Sequence, residues 1–347
     1  MDLTMCFQEW LPCYPKRMFL SDLNNTYLPE DFTMGKGSGF GKVILFGEHF
    51  VVHGIPGIVS AIDSTADAEV KKIARGITIR DERKGSKGYA EEKKAQQLES
   101  IDRVLKAMGI EPETVAFDIW LGGNLPGFSG LGASAASSVA IARAIAEEIG
   151  KRFSDEKINE IAYEAEKAYA GTPSGIDNTA ATFGGLLWFE KNMKGGDNTI
   201  GKLRIRNPVE IVIGSTGVVA NTKAMVEGVA ERKRNHPEKY DSLFEQAAAI
   251  VLIGRKALQE YDLKKIGELM NDNHRLLQEI EVSHKKLDYL VDVARKQGAY
   301  GAKMTGGGGG GCMVALTPGK DSQEKVANAI KKAGCEVLRT RIGVEKT

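Results

Sequence analysis

The apolar positions of this chain fall into short blocks whose period switches between two and about three and a half, the mark of strands and helices in alternation. Two apolar runs, residues 43–46 and 50–52, flank Gly47-Glu48-His49, and both read as strands. Residues 57–63 (GIVSAID) continue as a strand, while 67–73 (DAEVKKI) and 76–82 (GITIRDE) alternate and read as edge strands. Helical spacing over 91–108 puts Ile101, Val104 and Leu105 on one face, and 115–123 (VAFDIWLGG) is again a strand. Small residues at helical spacing follow Pro126-Gly127 up to Gly150. A second helix starts after Ser154 and reaches Ala170. Residues 170–185 form a loop leading into a helix-like turn, 185–191 (GLLWFEK) a strand, and 194–202 (KGGDNTIGK) a turn.

A second unit begins near Arg206. It reads as a strand at 209–217, a helix from Asn221, and three helical segments between Pro237 and Lys296. Strand, six glycines (306–311), strand, helix (322–333) and strand close the chain. No solenoid period is present. The pattern divides the chain into an irregular extension over 1–38 and two α+β domains at 39–205 and 206–347. The extension holds Pro12, Pro15 and Pro29 without sustained periodicity, and no chemistry is expected of it. Met34 could serve as an alternative start.

Composition narrows the picture. Of 347 residues 42% are hydrophobic and 27% charged, and the formal net charge is +1. Nothing in that balance attracts nucleic acid or membrane globally, and no apolar run is long enough to span a bilayer. The N-terminus lacks a basic stretch followed by an apolar run, so a secretory signal is not expected. Cys6, Cys13, Cys312 and Cys335 form no C-x-x-C pair, so free thiols in a reducing cytoplasm are expected. Cys312 reads as a small buried side chain opening a strand.

Three segments could carry chemistry. In Pro126-Gly127-Phe128-Ser129-Gly130-Leu131-Gly132-Ala133-Ser134-Ala135-Ala136, glycines let backbone N–H groups converge, and a helix N-terminus follows. Together they make an anion site suited to phosphate, with the Ser134 hydroxyl in reach of a phosphate-bound Mg²⁺. The Walker lysine is missing, and the spacing fits a tight turn before a closely packed helix as well. Glu166 lies near a helix end, and Asp177 sits in a loop fixed by Pro173 and Gly175. One carboxylate for Mg²⁺ and one beside an attacking hydroxyl would serve phosphoryl transfer, although most helix glutamates are merely solvated. Lys42 precedes the 43–46 strand, where it could keep Asp177 ionised or sit over phosphate oxygens. His49 and His53 are four apart, but the flanking runs favour strands and no third ligand is near, so zinc is not expected there. The glycine run leads directly into CMVAL, which suits a tight turn against a ligand better than a linker.

In combination these segments resemble the GHMP kinase family. GKVILFGEHFVVHG looks like its N-terminal substrate motif, LPGFSGLGASAA its ATP-phosphate motif, and KMTGGGGGGCMVAL its C-terminal glycine motif. GTPSGIDNTAATFGG looks like the segment that carries the catalytic aspartate in members acting on mevalonate. The resemblance covers Gly39 to Arg341. It implies a ribosomal-protein-like N-terminal domain with a left-handed β-α-β crossover and a ferredoxin-like C-terminal domain. It implies transfer of the ATP γ-phosphoryl group to the primary hydroxyl of mevalonate, with Mg²⁺, and a homodimer is a further possibility. Carried over by position, Asp177 would be the base and Lys42 its partner. Glu48, His49 and Thr222 would shape the acceptor site. Gly127, Ser129, Gly130, Leu131, Gly132, Ala133, Ser134, Ala135 and Gly308 would bind ATP, and Ser134 with Glu166 would hold the metal. Phe40-Gly41 replaces the family's Pro-Gly, Ala133 a first serine, and Gly307 an alanine. None of these removes a needed group. Alternatives are another GHMP small-molecule kinase, acting on phosphomevalonate, a sugar or the tertiary hydroxyl of mevalonate, and a silent nucleotide-binding regulator. Retention of Asp177, Glu166 and Ser134 counts against the last.

Overall fold

The computed structural model describes residues 34–347 apart from 86–88, 129, 172, 197, 220 and 346–347. The extension expected over 1–38 therefore falls mostly outside the described residues. The strand β1 (Gly35–Phe46) already starts within its expected span and contains Lys42, which was expected to precede a strand.

β1 runs antiparallel along β2 (Gly57–Lys72), a single strand of 16 residues. The 67–73 stretch, expected at an edge, is the far half of this strand and is paired on both sides. Its alternation reflects one face on the core and one in water, a pattern that does not depend on being at an edge. Along its other edge β2 meets three partners in turn: β5 (Leu186–Glu190), Ile342 near the chain end, and β4 (Phe117–Gly123). β3 (Ile77–Asp81) lies parallel to β4, with the crossover helix α1 (Tyr89–Ala107) between them. β6 (Thr199–Leu203) pairs with β5 where only a turn was expected, because Thr199-Ile200 extend the hairpin beyond the glycines. The 50–52 run, expected as a strand, is a 3-10 turn (Phe50–His53). Its side chains pack inward, Phe50 edge-on to Phe244 at 5.1 Å.

The second half is an antiparallel sheet. In spatial order it holds β10 (Glu336–Ile342), β7 (Val209–Ser215), β9 (Cys312–Leu316) and β8 (Gly301–Thr305). Around it pack α5 (Thr222–Asn235), α6 (Pro237–Glu260), α7 (Leu263–Glu279), α8 (Lys285–Lys296) and α9 (Lys320–Lys332). Cys312 is buried at the start of β9, as read from sequence. The fold is the two-domain α+β architecture expected. Among the described residues, no helix is long and apolar enough to cross a membrane.

One packing feature positions the site. Gly35, Gly37 and Gly39 occupy alternate positions of β1, and a Cβ on any of them would overlap the backbone of α2 (Ala133–Glu148) at Ala144, Ala140 and Ala136. Two strand residues rise about 6.6 Å and four helix residues about 6 Å, so the glycine ladder and the alanine row stay in step. The helix therefore lies directly on the strand, and the N-terminus of α2 is fixed beside Lys42.

Candidate active site

The loop entering α2 is held by its own backbone. Gly127 N–H donates to Lys84 O at 2.6 Å and Leu125 N–H to Thr65 O at 2.9 Å. Gly130 and Gly132 both adopt positive φ, +98° and +67°, which an L side chain would resist. Gly132 is the N-cap of α2, and no side chain caps this helix. The first N–H groups of a helix have no partner within it, so those of Ala133, Ser134 and Ala135 are available to an anion. Ser129, expected in this loop, lies outside the described residues.

Lys42 enters from β1. Its backbone N–H donates to Leu131 O at 2.9 Å, and its aliphatic stem packs on Gly132. Its ammonium group sits 3.1 Å from Asp177 Oδ1 and donates to Gly130 O at 3.3 Å. The lysine is buried while the aspartate side chain keeps 33% of its exposure. Asp177 is in the first turn of α4 (Ile176–Phe183), whose N-cap Gly175 is left-handed; an acidic group suits that helix end. Glu166, buried in α3 (Asp155–Ala170), accepts from Ser134 Oγ at 3.3 Å. Its other oxygen is buried with no protein partner. Burial, and then the Asp177 charge, push its carboxyl up to about 8. A buried oxygen with nothing to bind, beside a hydroxyl, is a donor set suited to a hard cation such as Mg²⁺.

The turn at residues 47–49 faces the glycine run. His49 holds φ +59°, and its Nε2 lies 3.0 Å from Gly307 O. A carbonyl can only accept, so Nε2 carries the proton and Nδ1, buried without a partner, is bare. Burial lowers the ring to about 4, so it is neutral near pH 7. A Cβ on Gly307 would overlap the Thr222 side chain, so His49, Gly307 and Thr222 converge. Glu48 is fully buried, with its oxygens taken by Lys303 and Asn273. Lys303 was not singled out from sequence; the signal was a charge at the centre of an otherwise apolar strand, GAKMT. His274, which sits in no motif, is buried and accepts from Met304 N–H. His284 caps α8.

Each glycine of the run meets a different neighbour. Gly306 lies against Gly130, where a Cβ would come within 2.7 Å of its Cα. Gly308 lies against Val282 O, Gly309 against Met225, and Gly310 against Val218. The backbone is tied down as well, Gly309 N–H to Val282 O and Gly311 N–H to Val218 O, both at 2.9 Å. The run is a wedged hairpin turn between β8 and β9. Its contact with the phosphate loop is made by Gly306, while Gly308 packs on the loop after α7.

A glycine-opened helix N-terminus beside a lysine–aspartate pair, with a glycine hairpin against the loop before the helix, suits a small-molecule phosphotransferase of the GHMP type. The family model described as "GHMP kinases N terminal domain" matches residues 97–185, and "GHMP kinases C terminal" matches 255–335. Mevalonate kinase of Pyrococcus horikoshii is 37% identical over 327 residues, covering 88% of this chain and 94% of the relative. That of Pyrococcus furiosus is 36% identical over 330 residues, covering 88% and 95%. The crystal structure of L. major mevalonate kinase with R-mevalonate superposes with a TM-score of 0.85 at 36% identity, covering 91% of this chain and 98% of that one. The chain belongs to the GHMP kinase family, and these relatives within it are mevalonate kinases.

Proposed function

We propose that this protein transfers the γ-phosphoryl group of ATP to the primary hydroxyl of mevalonate. The observation that carries the reading is the Lys42–Asp177 pair, 3.1 Å apart, beside the uncapped N-terminus of α2. The naming of the relatives supports the acceptor. Backbone N–H groups at Gly130 to Ala135 bind the phosphates, with Gly127 fixing the loop before them and Gly306 packed against Gly130. Asp177 orients the acceptor hydroxyl and takes its proton as the new O–P bond forms and the bond to the ADP oxygen breaks. Lys42 offsets the charge that builds there. His49 and Thr222 line the acceptor side, and Glu48 fixes the turn behind it. Ser134 and Glu166 would hold Mg²⁺, which when bound would neutralise phosphate oxygens.

The alternative of a phosphorylated acceptor calls for a second cation in the pocket. Lys303 is the nearest candidate in the motifs, and it is fully buried against Glu48. A cytoplasmic setting belongs to the same reading, supported by Cys312 and Cys335 being free thiols. The test is coupled ADP release with mevalonate, phosphomevalonate, galactose and homoserine in parallel. Turnover with mevalonate alone is expected, and turnover restricted to another alcohol would replace the acceptor.

A further inference from the structure

Lys303 takes no part in the chemistry above, yet it is one of the largest fully buried side chains. Its ammonium group pairs with Glu48 and donates to Met304 O at 2.7 Å and Ile44 O at 3.4 Å. Those three acceptors match its three protons. The second oxygen of Glu48 accepts from Asn273 Nδ2 at 3.3 Å. Burial pushes the Glu48 carboxyl up and the Lys303 ammonium down, and each charge opposes the shift of the other.

A buried ion pair adds little net stability over an apolar pair of the same volume; its use is to specify one arrangement. The arrangement here is legible. Thr305, two residues along β8, accepts from Ile44 N–H at 3.0 Å and donates to Ile44 O at 3.4 Å. β8 thus holds the chain before the turn at Ile44 and within it at Glu48. His49 follows in a conformation that histidine seldom adopts, with its ring on Gly307, four residues beyond Lys303 on the same hairpin. One hairpin grips the turn at Ile44, Glu48 and His49.

We propose that Lys303 is a positioning residue for the acceptor site: its pairing with Glu48 sets the turn at residues 47–49 and, through it, the His49 ring at Gly307. The role rests on the kinase reading, because the acceptor alcohol defines what is positioned. Lys303 acts through Glu48 and His49 and touches no substrate.

The test uses Lys303→Met and the double variant Lys303→Met/Glu48→Gln, which leaves no unpaired buried charge. Where the single variant fails to fold, the double variant carries the measurement. Imidazole ¹⁵N resonances give a readout that needs no substrate. Wild type should show His49 protonated at Nε2 only, and the variants an averaged tautomer. In steady-state kinetics the variants should raise KM for mevalonate about tenfold while ATP affinity stays within about twofold. Loss of the His49 signature supports the pin even where wild type releases no ADP with mevalonate, an outcome that defeats the acceptor assignment alone. A double variant that folds, keeps the His49 signature and retains the wild-type KM overturns the proposal.

Discussion

Glu166 accepts a hydrogen bond from Ser134 Oγ at 3.3 Å through one oxygen and leaves the other buried without a protein partner. The pair comes from two helices, α2 and α3, that pack tightly through small side chains. The carboxyl has been taken out of water with one hydroxyl as its protein donor, and a bound cation would offset the remaining cost.

That condition has a pH signature. With its carboxyl raised to about 8, Glu166 keeps a proton in the folded state that the unfolded chain has released. Its contribution to stability is therefore full below the unfolded value of 4.5 and lost as pH rises through about 8. His49 and His274, both lowered to about 4, act with the opposite sign, but only below 6.5; above that they are neutral in both states. Between about pH 7 and pH 9 the metal-free protein should lose Tm, and Glu166→Gln should lose less. Mg²⁺ with a nucleotide analogue should flatten the wild-type slope. Thermal melts across this range check it; equal slopes in the two proteins count against the assignment.

Asp177→Asn keeps the shape of the side chain and removes the proton acceptor. Turnover should fall about a hundredfold or more, with ATP affinity retained because the loop from Gly130 to Ala135 is untouched. Isothermal titration with a nucleotide analogue, beside steady-state rates, separates the two effects. Near-normal turnover would remove Asp177 from the base role.

The glycine run separates into two functions that point mutants can tell apart. Gly306→Ala meets Gly130 Cα at 2.7 Å, so it should push the phosphate loop and raise the KM for ATP. Gly308→Val meets Val282 O, and its φ of +69° resists a branched side chain. It should lower Tm more than it changes KM. If both variants merely lower Tm, the run is a packing device.

Gly37→Val strikes the Ala140 carbonyl across the β1–α2 contact. Overpacking of this kind costs about 1–3 kcal/mol or more, and urea denaturation should show at least that loss. Because α2 carries Ser134 and the phosphate loop, ATP affinity should weaken in the same variant.

Much of this was legible from residues alone. Period-two and helical spacing located β4, β7, β8, β9 and helices α5 to α9, and the glycine-rich openings marked the loop before α2. What was missed depends on distant partners. Residues 67–73 alternate like an edge strand, and only their pairing with both β1 and β4 shows them to be central. The 50–52 run is apolar enough for a strand, but the positive φ of His49 turns the chain into a 3-10 turn first. Lys303 could be noticed as a charge in an apolar strand, yet its partner lies 255 residues away, and no local pattern encodes that distance. The ladder at Gly35, Gly37 and Gly39 begins inside the span expected to be irregular, because glycines weaken a strand pattern until the helix they admit is in view.

The most direct measurement of the central claim is ³¹P NMR of a reaction containing ATP, Mg²⁺ and mevalonate, run with wild type and with Asp177→Asn. Wild type should convert ATP to ADP with stoichiometric appearance of one phosphomonoester coupled to the primary CH₂ of mevalonate, and Asp177→Asn should form it at least about a hundredfold more slowly. ADP without that phosphomonoester, or a phosphate on the tertiary oxygen, would contradict the account.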